Sequence, residues 1–469
     1  MATSDLRNAA GTASLFTFRG VETDDRSGDV RFRYAYDTGI EFCEAVGFNA
    51  PLPSPDSALR AGFDAVVEAL NVALGVSYYK AFLPSRMAFQ GAAFAAPQLE
   101  FFQKLYVNGL GEFGYRNRVN VSERVDFRNA RFDGQRASAN GASAASRPAP
   151  APVHLPRRSV VLLGGGKDSL VSVEILRAAE EPMVLLAVNP KKPIADCARA
   201  SGFPLITVTR NLDPLLFKLN ENGALNGHVP ITAIVSLIAL AGAFVHGYDT
   251  VILSNERSAD EGNIVDAGVQ INHQYSKASE FEEDLRNYLA SYVGAGLAYF
   301  SLLRPLSELH IAQLMAKVDR YDACFTSCNR AFRLQQEQPA KRWCLDCPKC
   351  RFAFLILATA LDRPRLQGIF GANLLDAPPQ LPGYAELVGL AGHKPWECVG
   401  EIDESRAALL HLADDPVWRD TAVVSSLAPR LRRETPDTRQ TWDGLLTPSS
   451  RHFLPAKYER MVHAYASGR

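Results

Sequence analysis

The sequence predicts an α/β protein: a parallel-sheet nucleotide domain, preceded by an α+β domain and followed by a C-terminal extension. Three observations carry this. From Ser159 onward, short apolar runs of strand length alternate with amphipathic helical stretches, the pattern of a parallel sheet. The first of those runs ends in three glycines (Gly164, Gly165 and Gly166) that open directly into a helix. Before residue 134 the apolar residues instead recur with period two, Phe16 and Phe18 and then Val30, Phe32 and Tyr34, which marks a hairpin.

Taken in order, the hairpin is followed by helical segments around Ala58–Leu74 and Ala96–Tyr106, and this first domain spans 1–133. Residues 134–157 are rich in Ala, Ser and Pro, cannot bury a core, and read as a linker. The nucleotide domain spans 158–362. Its strands are expected at 159–163, Met183–Val188, Leu205–Val208 and Thr250–Leu253, with a fifth near Cys324–Ser327. The apolar run Ile231–Val245 suits a buried helix and is too short to span a bilayer. A second apolar helix, Phe352–Leu361, leads to the proline-rich extension 363–469.

The composition narrows the function. A formal net charge of -1 gives no global basic field to gather nucleic acid, so no nucleic-acid partner is expected. The start Met1-Ala2-Thr3-Ser4-Asp5 lacks the basic and apolar segments of an export signal, and the eight cysteines are clustered rather than spread as a disulfide framework. A cytoplasmic protein with no membrane association is expected.

Ligands of open parallel sheets bind beyond the carboxyl ends of the strands. The loop Gly164–Ser169 stands at such an end. Its glycines let the backbone pass close to a phosphate, and the following helix aims free N–H groups and its dipole at the same place. The loop is not a Walker A motif, because Val161 stands where that motif needs glycine and Asp168 separates the lysine from the serine. Gly164-Gly165-Gly166-Lys167-Asp168-Ser169 instead resembles the PP-loop, Ser-Gly-Gly-x-Asp-Ser, of the N-type ATP pyrophosphatases, with Gly164 in place of the first serine. That resemblance implies a HUP-like (adenine nucleotide alpha hydrolase-like) fold and cleavage of ATP to AMP and pyrophosphate. Lys167 and Asp168 then take catalytic roles, with Mg²⁺ held by Asp168 or Glu256. Asn189 lies near the base or ribose.

Other clusters add to the site. His228, in Gly227-His228-Val229-Pro230, either reaches a phosphate or caps the buried helix. Asn255 and Glu256 follow a strand directly and suit Mg²⁺ or ribose, while Ser258 and Asn263 suit substrate. Lys277 or His273, in Asn272–Lys277, suits an anionic substrate, and Tyr79, Lys80 and Arg116 sit in loops read as facing it. His393 and Cys398 lie in a dense polar loop between Gly392 and Gly400. Cys344, Cys347 and Cys350 recur at two-residue gaps, with Cys328 sixteen residues before Cys344. Four such sulfurs close a structural zinc site, with Cys324 as an alternate ligand and an iron–sulfur cluster as an alternate occupant.

Together, Tyr78-Tyr79-Lys80, Gly109–Asn117, Gly164–Ser169, Ser254–Asn263, Asn272–Lys277, Cys344–Cys350 and His393–Glu401 resemble the UDP-N-acetylmuramoyl-L-alanyl-L-glutamate epimerases of MurL type. Part of the cysteine pattern is also similar to the shorter 7-cyano-7-deazaguanine synthases. The MurL resemblance implies conversion of the terminal L-Glu of UDP-MurNAc-L-Ala-L-Glu to D-Glu through an adenylated carboxylate, with ATP and Mg²⁺. His273, His393 and Cys398 are the candidate proton-transfer groups. Two other readings stay open: a PP-loop ligase or thiolase acting on a carboxylate or nucleobase, and a nucleotide-binding scaffold without turnover.

Overall fold

The computed structural model describes residues 13–133, 155, 159–266, 268–294, 296–332, 341–434 and 438–468. They divide into two compact units that interleave along the chain. One is drawn from Met1–Val160, Thr207–Val251 and Ile271–Tyr299, the other from Val161–Ile206, Ile252–Gln270 and Phe300–Arg469. The compact units therefore do not follow the linear boundaries expected from composition, and segments of 158–362 contribute to both. The expected linker lies outside the described residues apart from Leu155.

The strands are β1 (Leu15–Asp24), β2 (Asp29–Tyr36), β3 (Glu41–Gly47), β4 (Arg86–Gln90), β5 (Arg131–Asp133), β6 (Ser159–Leu162), β7 (Met183–Val188), β8 (Leu205–Asn211), β9 (Thr250–Leu253), β10 (Ile264–Asp266), β11 (Val269–Ile271) and β12 (Ala298–Ser301). In the first unit, β1 pairs antiparallel with β2 and β2 with β3, while β4 joins β1 in parallel. The alternation that predicted the hairpin is what buries it: Phe16, Phe18, Val30, Phe32 and Tyr34 are all inaccessible or nearly so. Each contributes about 1.5–3 kcal/mol of burial. Helix Ala58–Tyr79 covers them and packs on helix Ile231–His246. Gly75 lets the helix approach the hairpin, since a Cβ there would stand 2.5 Å from the Phe18 ring.

The α/β part orders its strands β12-β9-β6-β7-β8, with helices in the crossovers. The backbone bonds Ala298 N–H to Asp249 carbonyl and Leu302 N–H to Leu253 carbonyl keep one stagger, as parallel neighbours do. The last strand of this series is Ala298–Ser301, not 324–327. Residues 324–327 form a loop whose Thr326 N–H bonds the Gly165 carbonyl at 3.0 Å, so their backbone serves the glycine turn instead of a ladder. After Pro348 the described chain is α-helical with short 3₁₀ turns.

Candidate active site

The glycine turn follows β6. Gly165 has a positive φ of 75°, and a Cβ on it would press on Ile194, so glycine is required there. Gly164 has open space where a side chain would stand, so its surroundings do not require glycine. Gly166 precedes helix Lys167–Ala178 and supplies no side-chain cap, which leaves the first-turn amides of that helix to other partners. Ser169 Oγ accepts the Gly164 N–H at 3.3 Å and donates to the Gly166 carbonyl at 3.1 Å, closing the turn on itself.

Lys167 is buried and ion-paired with both Asp168 and Glu308. Asp168, Glu256 and Glu308 each bring a carboxylate oxygen within 4.8 Å of the others. An all-oxygen set of this kind suits a hard divalent cation such as Mg²⁺. Glu256 is fixed through its backbone, whose carbonyl accepts from Arg304 at 2.7 Å, and Asn255 donates its amide to Ser301 Oγ at 3.0 Å. Ser258 is fully buried and its Oγ has no hydrogen-bond partner among the described residues. Asn263 donates to the Pro395 carbonyl at 2.9 Å. Asn189 follows β7 in the left-handed region, φ 46°, and is exposed.

The cysteine sulfurs meet as the spacing requires. Cys328–Cys347, Cys344–Cys350 and Cys347–Cys350 lie 3.9, 3.8 and 3.5 Å apart. Sulfurs about 2.3 Å from one tetrahedral ion stand about 3.8 Å from each other, so these four can hold one. Cys324 does not belong with them; its sulfur lies 3.5 Å from Cys197. Cys347 also caps helix Pro348–Ala358, whose Lys349 N–H bonds Glu397 Oε2 at 3.1 Å. Burial would depress the Lys349 ammonium, but Cys398, Asp168, Glu256 and Glu397 act together to raise its pKa. The cysteine cluster therefore anchors a helix that brings a cation to the carboxylates around Lys167.

The loop 392–401 adds three groups. His393 is exposed and sets Nδ1 2.9 Å from the Lys394 carbonyl, so Nδ1 carries the proton and Nε2 is left as a base. Cys398 is half-buried beside Lys349 and Glu397. Lys394 is buried and paired with Glu261. Behind this loop Glu404 is inaccessible, and burial, then the charge of Glu401, push its carboxyl up to about 7.

In the other unit Tyr79 proves to be core. It is inaccessible, and its hydroxyl lies against the carbonyls of Pro84 and Arg124 at 3.0 and 2.9 Å, so it offers nothing to a substrate. Lys80 is buried, bonds Asn226 at 3.0 Å, and is lowered to about 8 by burial. His228 belongs with Glu112 and His273 rather than acting as a helix cap: its Nδ1 lies 3.8 Å from Glu112 Oε2, which His273 Nδ1 also contacts. Arg116 Nε holds the second Glu112 oxygen at 2.5 Å. Burial, helped by His273, Lys277 and Arg116, lowers His228 to about 3, so it is neutral at physiological pH. Lys277 is half-buried beside it. Sequence reasoning missed Glu308 and Lys349 as functional positions and took in Glu112 only as part of the stretch Gly109–Asn117. Each is a single charged residue in the first turn of a helix, where a charge is ordinary.

Residues 7–302 match the MurL N-terminal domain and residues 324–441 the MurL C-terminal domain. The chain is 42% identical over 454 residues to the UDP-N-acetyl-alpha-D-muramoyl-L-alanyl-L-glutamate epimerase of a Micromonospora species, covering 95% of this chain and 97% of that protein. Proteins of the same name from Salinispora tropica and Xanthomonas oryzae pv. oryzae are 41% and 38% identical, over 94% and 97% of this chain and 94% and 98% of theirs. The chain accordingly belongs to the MurL family of epimerases and is an isomerase.

Proposed function

We propose that the protein converts the terminal L-Glu of UDP-MurNAc-L-Ala-L-Glu to D-Glu in peptidoglycan precursor synthesis, after adenylating its α-carboxylate with ATP. The observation that carries this reading is the set of three carboxylates around buried Lys167, at the mouth of a glycine turn and an uncapped helix. The family membership supports the epimerisation; the ATP step rests on the turn and its PP-loop resemblance.

The chemistry needs activation. Removing the α-hydrogen beside a free carboxylate places a second negative charge next to the first. In the proposed reaction a carboxylate oxygen attacks the α-phosphorus of ATP, the bond to the β-phosphate breaks, and pyrophosphate leaves. The mixed anhydride carries no charge on its acyl group, so its α-hydrogen is far more acidic. The turn amides and Lys167 stabilise the departing pyrophosphate. Asp168, Glu256 and Glu308 would hold Mg²⁺, which shields the phosphate charge. One group removes the hydrogen and another returns one on the opposite face, each needing a pKa near the working pH. His393 Nε2 and Cys398 are the proposed pair. Water then releases AMP. Ser258 and Asn263 are proposed to hold substrate, and the four cysteines to bind a structural zinc ion that sets Lys349 in place.

The test mixes purified protein, Mg-ATP and UDP-MurNAc-L-Ala-L-Glu in deuterated water. AMP formation with deuterium at the glutamyl α-carbon supports the reading. AMP without exchange points to ligation, and exchange without ATP cleavage removes the adenylation step.

A further inference from the structure

The Glu112–His228–His273 cluster takes no part in the chemistry proposed above, and it lies wholly within one unit. Its donors come from three separate segments: helix Gly111–Asn117, the loop before helix Ile231–His246, and the turn ahead of Tyr275–Lys277. Glu112 is buried, and the side chains of His228 and His273 are only 21% and 13% exposed. Both imidazoles turn Nδ1 toward one oxygen, Glu112 Oε2, with ring centres 4.3 Å apart, and the three ligand atoms lie within 4.8 Å of each other.

We infer that Glu112, His228 and His273 form a binding site for a divalent transition-metal ion of zinc type, with one coordination position open. A histidine pair this close is repulsive if both rings are charged. His273 can satisfy Glu112 Oε2 by donating its Nδ1–H, but His228 Nδ1, 3.8 Å from the same oxygen, is too far for a hydrogen bond, and an ion held by all three would engage both rings. Two imidazoles and one carboxylate are a set that zinc accepts, with water or substrate as the fourth ligand. Arg116 on the other Glu112 oxygen is the kind of outer contact that fixes a ligating carboxylate and leaves Oε2 for the ion. Arg116 and Lys277 add positive charge, so the open position favours an anionic oxygen, such as that of a phosphate or carboxylate group.

The test uses the full chain. Wild type, the double variant H228Q/H273Q and the single variant E112Q are stripped with a mild chelator and dialysed against Zn²⁺, and bound zinc per chain is measured. All three carry the same cysteine cluster, so the difference between them reads the histidine site alone. Wild type is expected to retain about one zinc more than either variant. With Co²⁺ loaded in place of zinc, the wild-type minus variant difference spectrum is expected to show a visible ligand-field band without thiolate charge transfer, because the bands of the shared cysteine cluster cancel. Equal zinc content in wild type and in whichever variant is folded overturns the site and leaves a hydrogen-bonded structural cluster.

Discussion

Each unit buries a cation against carboxylates, but in opposite proportions. Arg210 on β8 meets Glu44 on β3 one to one, at 2.5 Å, with Ser77 Oγ also 3.4 Å from the guanidinium. Lys167 instead lies among Asp168, Glu256 and Glu308, and with Lys349 and Glu397 nearby the acids still outnumber the lysines. A balanced pair leaves nothing for a ligand and serves the fold. An excess of buried anionic charge is costly unless a further cation arrives, and that cost is what a metal-nucleotide site exploits. Arg210, inside strand Leu205–Asn211, belongs to the first kind.

The comparison breaks most sharply at Arg210. Burial pushes the Glu44 carboxyl up, and Arg210 pulls it partly back. Arg210→Met strands that carboxylate, with an expected loss of about 3–5 kcal/mol of stability at pH 7–8. The unpaired acid escapes by taking a proton, so the loss shrinks as pH falls toward 5. Urea denaturation at two pH values measures this; a variant as stable as wild type at pH 8 shows that the pair does not hold the fold.

The opposite result is expected at Glu256. Glu256→Gln removes one charge from a set with too many, so Tm holds or rises, while AMP formation falls about 10²–10³-fold. A variant that loses Tm and keeps its rate would place Glu256 with Glu44, as a structural acid.

How far the sequence foretold these two clusters follows from what is local. Period-two alternation located β1 and β2, and the strand–glycine–helix passage located the turn around Lys167, because both signals lie within a dozen residues. Ala298–Ser301 escaped notice: its four residues set two aromatics between Ala and Ser and lack an aliphatic run like the Val251-Ile252-Leu253 that marked β9. The interleaving of the units escaped too, since it depends on pairings such as Ala45 with Asn211 that no local window contains. Spacing alone could not separate Cys324 from Cys328; only the 3.5 Å approach of Cys324 to Cys197 does. Tyr79 read as part of a substrate-facing loop because the helix was expected only over Ala58–Leu74, yet that helix runs on to Tyr79 and buries it.

Glu404 shows a third way to bury a carboxylate: it has no ion pair among the described residues, and Arg257 acts on it only as a weaker charge, after burial, Glu401 and the backbone N–H groups. It accepts the Glu401 N–H at 2.7 Å and the Leu309 N–H at 3.3 Å, and these only partly offset burial and the Glu401 charge. The folded protein therefore keeps this proton up to about pH 7, whereas the unfolded chain releases it near 4.5. Between those values the folded state binds more protons, so this group's contribution to stability is full below pH 4.5, falls as pH rises, and is gone above about 7. Glu404→Gln cannot ionise and escapes that decline. At pH 8 it is expected to be more stable than wild type by roughly 2–3 kcal/mol, allowing for one weakened N–H contact. At pH 4 the advantage disappears, because wild-type Glu404 is then neutral as well. Chemical denaturation of both proteins from pH 4 to 8 decides it: parallel stability profiles would mean that Glu404 is ionised in the fold and that a cation stands near it.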